Sequence, residues 1–538
     1  MRGYQALAQG LVDAGVETVF AVMGDGNLHL LAELSSRHGV RIVHARHEQG
    51  AVAMADGYAR FTGRLGVATV THGPGLTNTA TALATAAAHR TGLLLVAGGL
   101  APGDVHNLQR LDQPRFAEVV GATTVALTTG DRVGLDLAEA MRRCSRGETV
   151  VLHAPTDVQQ QDGAAPAPAP VRPSVMAPDP AAVDRVAGLL AASSRPVLLA
   201  GRGASSDGAL AAIADLAVHV GAAIVTSLLA KGSFAGDPRY LGVAGGLGSR
   251  AATAALASSD CVVAFGASLN DWTTSHADFA PGAALVQVDV REDAFGRFLT
   301  PALGVLGDSE LTARLLVKAA TATPHRADWP PGPDLVAHQP RRETEGLDPE
   351  RACTALADAL PADAGVVVDG GHLCIWAAQL VGPSVPRSFT HGFSFGSIAQ
   401  SLPLAVGAAL GLGGRRVVAV MGDGAAAMSL TELETAVRTD APVTVVVLDD
   451  AGFGIERHTL AAEGLPVAEA NYPAPDFAAI ARAMGARALR VTTADELAGL
   501  PAMLAGSGPA LVDLVVDGAV VSETFREIKQ LTPAGAAS

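Results

Sequence analysis

Aromatic side chains are scarce in this chain, with Phe, Trp and Tyr together making 4% of its 538 residues. Surfaces that bind single-stranded nucleic acid stack bases on such rings, so that class is poorly supplied here. Positive charge is also short. The 38 Lys and Arg against 53 Asp and Glu leave a formal net charge of -15, which repels a phosphate backbone unless a local basic patch compensates. The run MRRCSRGE is too short for such a patch and reads as a solvated helix end. The four cysteines, Cys144, Cys261, Cys353 and Cys374, show no metal-ligand spacing and are expected as reduced thiols of a cytosolic protein. No run approaches the ~20 apolar residues of a membrane span. The opening MRGYQALAQGLVDAG lacks the apolar stretch of a signal peptide and reads as an amphipathic helix. Nucleic acid and membrane are therefore not expected as partners, and the cytoplasm is the expected location.

What is abundant is Ala, Val and Gly. Hydrophobic residues make 49% and glycines number 60, a composition suited to tightly packed α/β layers. Two Pro-rich stretches, Asp162–Ala182 and Thr321–Gly346, read as linkers. They divide the chain into blocks at 1–161, 183–320 and 347–520. Each block alternates short Val/Leu runs, such as ETVFAVMG, RPVLLAGRGA and PVTVVVLDD, with longer helical patterns. Such runs ending at Gly suit strands buried on both faces of a parallel sheet, so three doubly wound α/β domains are expected. Ligands of such sheets sit beyond the carboxyl ends of the strands, where THGPG, GRGA, VDGG and two copies of GDG fall.

The string AVMGDG occurs twice, at Ala21–Gly26 and Ala419–Gly424. In the second copy, strand RRVVAV runs into Gly422-Asp423-Gly424, and Asp450 follows Asp423 by 27 residues at the end of the next strand. Adjacent parallel strands would bring both carboxylates to one rim, near a helix N-terminus that favours a diphosphate. With a backbone carbonyl, diphosphate oxygens and water they could complete an octahedral magnesium site. Alternatively they are a turn aspartate and a helix cap. The pattern GDG, 27 residues, then DDAGFG resembles the diphosphate-binding motif of thiamine-diphosphate (ThDP) enzymes. The resemblance implies a cofactor site of Gly422, Asp423, Gly424, Ala425, Asp450, Gly452 and Phe453, with Mg2+ held by Asp423, Asp450 and the Gly452 carbonyl. The motif usually carries an Asn pair as its second element; Asp450 adds a negative charge there, implying stronger dependence on the metal.

Twenty-seven residues after Asp25 lies Val52, which cannot bind a metal. Glu48 instead stands in HARHEQGAVAMADGYARFTG, which resembles the segment carrying the activating glutamate of the decarboxylase–carboligase ThDP enzymes. A carboxyl enclosed by apolar walls has a raised pKa and can share a proton with the pyrimidine ring. The two AVMGDG copies then read as relics of one domain type used twice, the front third serving the pyrimidine and the back third the diphosphate. The resemblance implies a homodimer or homotetramer with active sites at the subunit interface.

Order and length are similar to the acetohydroxyacid synthase and pyruvate oxidase-like branch. THGPGLTNTATALATA, PTDVQQQ, DGGHLCIWAAQ and FSFGSIAQSLPLAVGAALG resemble its segments. They place His372 and Leu373 near the diphosphate and Ile398 at the bulky residue that bends the cofactor. FGASLNDWTTS lacks the two arginines that serve flavin and the second substrate in that branch, with Ser268 and Trp272 in their places. That weakens the case for FAD and for a second 2-oxo acid as acceptor. Asp25 and His72 fall at or next to catalytic positions of pyruvate and benzoylformate decarboxylase-like enzymes; His29, Gln109 and Gln113 are further polar candidates. The expected function is ThDP- and Mg2+-dependent decarboxylation of a small-molecule 2-oxo acid, with carboligation to a carbonyl acceptor as in acetolactate synthase. The alternative is a nonoxidative decarboxylase releasing an aldehyde. A noncatalytic relative would be expected to lack the glutamate or the aspartate pair, and a nicotinamide dehydrogenase would need a convincing G-x-G-x-x-G turn.

Overall fold

The computed structural model describes residues 1–163, 175–275, 279–323, 328–329 and 346–529. Much of both Pro-rich stretches lies outside the described residues. Three six-stranded sheets follow one another along the chain. The first holds β1 (Thr18–Ala21), β2 (Arg41–His44), β3 (Gly66–Val70), β4 (Leu93–Gly99), β5 (Thr123–Ala126) and β6 (Thr149–Pro155). The second holds β7 (Pro196–Ala200), β8 (Ala223–Thr226), β9 (Tyr240–Val243), β10 (Cys261–Phe265), β11 (Ala284–Asp289) and β12 (Leu303–Leu306). The third holds β13 (Gly365–Val368), β14 (Phe389–His391), β15 (Val417–Gly422), β16 (Val443–Asp449), β17 (Arg487–Val491) and β18 (Ala510–Val515). Every residue of β4 and β16 is buried, as parallel strands covered by helices on both faces require.

The first sheet has the order β2-β1-β3-β4-β6-β5 and the third β14-β13-β15-β16-β18-β17. The winding is the same, so one domain type is used twice. The repeated hexapeptides do not mark equivalent points within it. The first copy leaves β1, the first strand of its sheet, whereas the second leaves β15, the third strand of its own. The chain winds outward in opposite directions from neighbours β1 and β3 in the first sheet and from β13 and β15 in the third, and the gap at their carboxyl ends is the usual ligand crevice. The strings therefore lie on opposite lips of the two crevices, and the correspondence read from the repeat is one of composition rather than position.

The front and back domains share one apolar core. Helix Glu48–Thr62 lies against helix Ser401–Gly411 so closely that a Cβ on Gly57 would come 2.0 Å from the Leu404 carbonyl oxygen. A Cβ on Gly407 would come 1.8 Å from that of Met54. Across the same junction the buried Glu432 accepts the backbone N–H groups of Arg46 (3.1 and 3.3 Å) and His47 (3.0 Å). The central domain is tied on by Lys231, whose buried ammonium donates to the carbonyls of Ala378 (2.7 Å), Gln379 (2.9 Å) and Val381 (2.9 Å). These carbonyls end helix Cys374–Leu380, where a cation is favoured.

Candidate active site

The rim of the third sheet is built by strand register. Gly422 pairs with Leu448, so the chain leaves β15 and β16 side by side at Asp423 and Asp450. Asp423 is buried; its Oδ1 accepts the N–H of Gly424 (2.8 Å) and its Oδ2 that of Gly452 (3.1 Å). Burial raises its pKa to about 6. Asp450, also buried, is pushed up to about 7, chiefly by burial and against the pull of Arg457, with Asp423 and Asp449 adding repulsion. Two carboxylates in so little water are poorly stabilised as anions, which is what a cation would relieve. Between Asp450 and Gly452, Ala451 has φ +53°, a backbone state that costs a non-glycine residue about 1–2 kcal/mol. Asp449 Oδ1 holds it there by accepting the Ala451 N–H at 3.1 Å. The segment then forms an isolated bridge with Asn471, as Phe453 N–H meets the Ala470 carbonyl (2.8 Å) and Tyr472 N–H that of Ala451 (3.1 Å). Gly424 leaves room for two side chains here, since a Cβ would sit 2.9 Å from Tyr472 Oη and 3.1 Å from the Phe453 ring. Ala425 is buried one residue further into the short helix that Gly422 caps.

Just past the neighbouring strand β13, Asp369 is wholly buried and repeats the device. It accepts the N–H groups of Gly370 (2.8 Å), Ala399 (3.1 Å) and Ser401 (3.0 Å), fixing Ala399 at φ +72°. Ile398 is thereby laid over Gly370, whose Cβ position is 3.3 Å from Ile398 Cγ2, with part of its side chain packed on the shared core. His372 is buried among Trp376, His458 and Phe525, with ring centroids at 5.1, 4.5 and 5.0 Å. Burial holds its pKa down at about 3, so it is neutral. Its Nε2 accepts the Ser522 N–H at 3.2 Å, which assigns the proton to Nδ1. That Nδ1 is buried with no partner among the described residues and borders Gly454 together with Asp450 Oδ2. Leu373 differs from the expectation: its side chain sits in the apolar core of the back domain, leaving only its backbone to a ligand.

The rim of the first sheet carries the other candidates. Glu48 opens helix Glu48–Thr62, after His47 caps it by accepting the Gln49 N–H at 3.1 Å. The Glu48 carboxylate accepts from Asn78 Nδ2 at 2.9 Å. It is half-buried, so the apolar enclosure expected of it is not provided within one chain. Asp25 is exposed at the end of β1 in a cavity of about 360 Å3 with His29, Thr156, Asp157, Gln159 and Gln160. His72 lies buried on the opposite lip, where a Cβ on Gly26 would touch its Nδ1 at 2.9 Å. The remaining polar candidates divide. His29 Nδ1 meets Gln160 Nε2 at 3.2 Å at the cavity, whereas Gln113 is buried and donates to the Gly98 carbonyl at 2.9 Å, a packing role. Gln109 crowds the turn at Gly73 through its backbone oxygen, 2.5 Å from the Cβ position there.

In the central domain, the glycines of GRGA are required by packing: Cβ atoms on Gly201 and Gly203 would come within 2.4 and 2.9 Å of Gly266. Trp272 is half exposed. Asp369, Arg457, Tyr472 and Asn78 complete the two rims. Asp369 ends a Val run before a Gly pair, a signal visible in the sequence; Arg457 lies seven residues after Asp450 in the helix that follows it, and Tyr472 reaches the rim only through the chain's return, which no local pattern announces.

Three family models match in order: the N-terminal TPP binding domain of thiamine pyrophosphate enzymes over residues 1–116, their central domain over 183–316, and their C-terminal TPP binding domain over 369–514. Acetolactate synthase of Mycobacterium bovis is 30% identical over 550 aligned positions, covering 96% of this chain and 88% of that one. Sulfoacetaldehyde acetyltransferase of Castellaniella defragrans is 29% identical, covering 92% and 88%. An X-ray structure of a Mycobacterium smegmatis protein, provisionally assigned as a thiamin diphosphate-dependent enzyme, superposes with a TM-score of 0.81 at 22% identity, covering 96% of this chain and 99% of that one; it carries the fold alone. With these matches spanning all three sheets, the chain belongs to the thiamine pyrophosphate enzyme family and is a thiamine-diphosphate-dependent, acetolactate synthase-like enzyme.

Proposed function

We propose that this enzyme decarboxylates a 2-oxo acid with Mg2+ and ThDP and joins the remaining fragment to a carbonyl acceptor. The observation that carries this is the pair of complementary rims, Asp423 with Asp450 on one and Glu48 on the other. The residues fit a metal-bound diphosphate. Two buried carboxylates lie above their usual pKa range, Gly452 offers a carbonyl beside them, and His372 Nδ1 offers a buried donor without a partner among the described residues. Asp423, Asp450 and the Gly452 carbonyl would hold the cation, with Gly422, Gly424, Ala425, Phe453, His372 and the Leu373 backbone around the diphosphate. Bound ThDP supplies the nucleophilic carbon and electron sink that loss of carbon dioxide requires.

Glu48 would hold a proton against the pyrimidine nitrogen. Ile398, fixed by the Asp369–Ala399 contact, would set how the cofactor bends. Asp25, in the cavity after β1, and His72, on the other lip of the first crevice, would carry protons to or from the substrate. A second reading, simple decarboxylation with proton transfer, is favoured by one feature. The segment Phe265–Ser275 holds no arginine, while an imidazole, His72, is buried on the lip of the first crevice.

The reading includes a homodimer or homotetramer with active sites shared between subunits, which two features support. The cavity beside Asp450 is lined by back-domain residues alone and that beside Asp25 by front-domain residues alone. Met23, Phe395, Met428 and Phe453 expose apolar surface on or near these rims, the mark of a contact face. A cytoplasmic site is consistent with four free, buried cysteines, and no helix among the described residues is long and apolar enough to cross a membrane. The test is product analysis with pyruvate and then aryl 2-oxo acids, with ThDP and Mg2+ added or withheld. Acetolactate or another acyloin supports ligation; free aldehyde supports the second reading; cofactor-independent turnover refutes both.

A further inference from the structure

Asp450 stands at the motif position usually held by a neutral amide, and this places another carboxylate beside Asp423 and Asp449 at a rim read as a diphosphate site. A buried cation answers it. Arg457, in helix Gly454–Ala462, has a side chain only 13% exposed. Its Nη1 donates to Asp450 Oδ2 at 3.2 Å and to the Gly518 carbonyl at 3.1 Å, and its Nη2 donates to the Asp450 carbonyl at 2.9 Å. The guanidinium fills the space left by Gly452, where a Cβ would lie 2.2 Å from Nη2. Among the described residues, Arg457 is the one cationic residue lining the cavity of about 570 Å3 beside Asp450.

The choice of carboxylate follows from donor and acceptor chemistry. An amide has one acceptor end and one donor end. If its oxygen faced a cation, its NH2 would face the guanidinium, donor against donor; if it turned over, its NH2 would face the cation. A carboxylate presents acceptors both ways. Resting on the Mg2+–diphosphate reading above, we infer that Asp450 and Arg457 are one exchange unit. Arg457 is a positioning residue that neutralises the extra carboxylate, holds its Oδ2 and leaves Oδ1 to the divalent cation. The charge and hydrogen-bond demands of the two residues are then coupled, and neither can change alone. Removing one member leaves a buried charge without its counter-ion or two donors opposed, whereas removing both returns the site to a neutral amide.

The experiment is a double-mutant cycle in the full-length protein: Asp450→Asn, Arg457→Met and the two combined. ThDP affinity is measured by titration calorimetry at saturating Mg2+, and the Mg2+ dependence of binding at saturating ThDP. Each single variant is expected to lose about tenfold or more in affinity, and the double variant to return to within about threefold of the parent. A purely structural arginine predicts additive losses and no rescue; additive losses, or parent-like binding by Asp450→Asn alone, overturn the inference. Should a single variant fail to fold, the double variant decides: parent-like binding supports the unit, and weak binding or misfolding overturns it. A parent chain that takes up no ThDP defeats the functional reading and the inference together, and the parent titration makes that failure distinguishable.

Discussion

At the scale of single residues, the candidate site places Asp423 and Asp450 where water is scarce. Glu48 is held in position by backbone contacts from Glu432 on the loop before it, so its exchange for glutamine changes the proton and little else. Glu48→Gln is expected to lower kcat about 10²- to 10⁴-fold with a much smaller change in ThDP affinity, read by steady-state kinetics beside calorimetry. His372 yields a pH prediction. Its folded pKa is about 3 against an ordinary 6.5, with burial the main cause. As pH falls below 6.5 the unfolded chain takes up this proton first, so stability drops progressively toward pH 3 and is unaffected above 6.5. His458, lowered to about 4 and packed on the same ring, adds in the same direction. Asp423 and Asp450, raised to about 6 and 7, act in the opposite sense, so the check is a comparison: in ThDP-free protein the melting temperature of His372→Phe relative to the parent should rise as pH falls from 6.5 to 4.5.

At the scale of elements, the decisive contact is between helices Glu48–Thr62 and Ser401–Gly411. Their backbones nearly touch at Gly57 and Gly407, and each helix starts at or near a site residue, Glu48 in one and Ile398 in the other. Gly407→Ala would drive a methyl into the Met54 carbonyl, and the helices must part. The expected cost is about 1–3 kcal/mol, seen as a lower melting temperature, together with a fall in kcat, since the rims shift with their helices. The sequence makes much at this scale legible. Val runs ending at Gly mark buried parallel strands, and the spacing of Asp423 and Asp450 marks neighbouring strand ends. It does not disclose contacts made by the chain returning from afar: Glu432 on the Arg46–His47 loop, or Lys231 on a helix end of another domain. Nor does a repeated string reveal which strand it follows. Composition around a turn depends on what approaches it, and two different lips of a crevice make similar demands for glycine and a carboxylate.

At the scale of the whole molecule, a chain with two complementary half-sites predicts complementation. Glu48→Gln and Asp423→Asn each damage a different rim. If an active site takes one rim from each of two chains, a mixed dimer has one doubly damaged site and one intact site. Mixing equal amounts of the two inactive proteins, with dissociation and reassociation, should restore about a quarter of parental activity, because random pairing makes about half the dimers mixed and each has one good site of two. Sites built within single chains would restore none. Analytical ultracentrifugation should show the same assembly in both variants. The matching order of the first and third sheets has an evolutionary corollary. Superposed strand for strand, the domains lay Asp423 over the Thr71–His72 turn and Asp369 near Asp25. The front domain's own GDG thus lies on the wrong bank, and converting that domain into a second phosphate-gripping unit would mean rewriting the stretch from Thr71 to Gly75, leaving the hexapeptide as it stands.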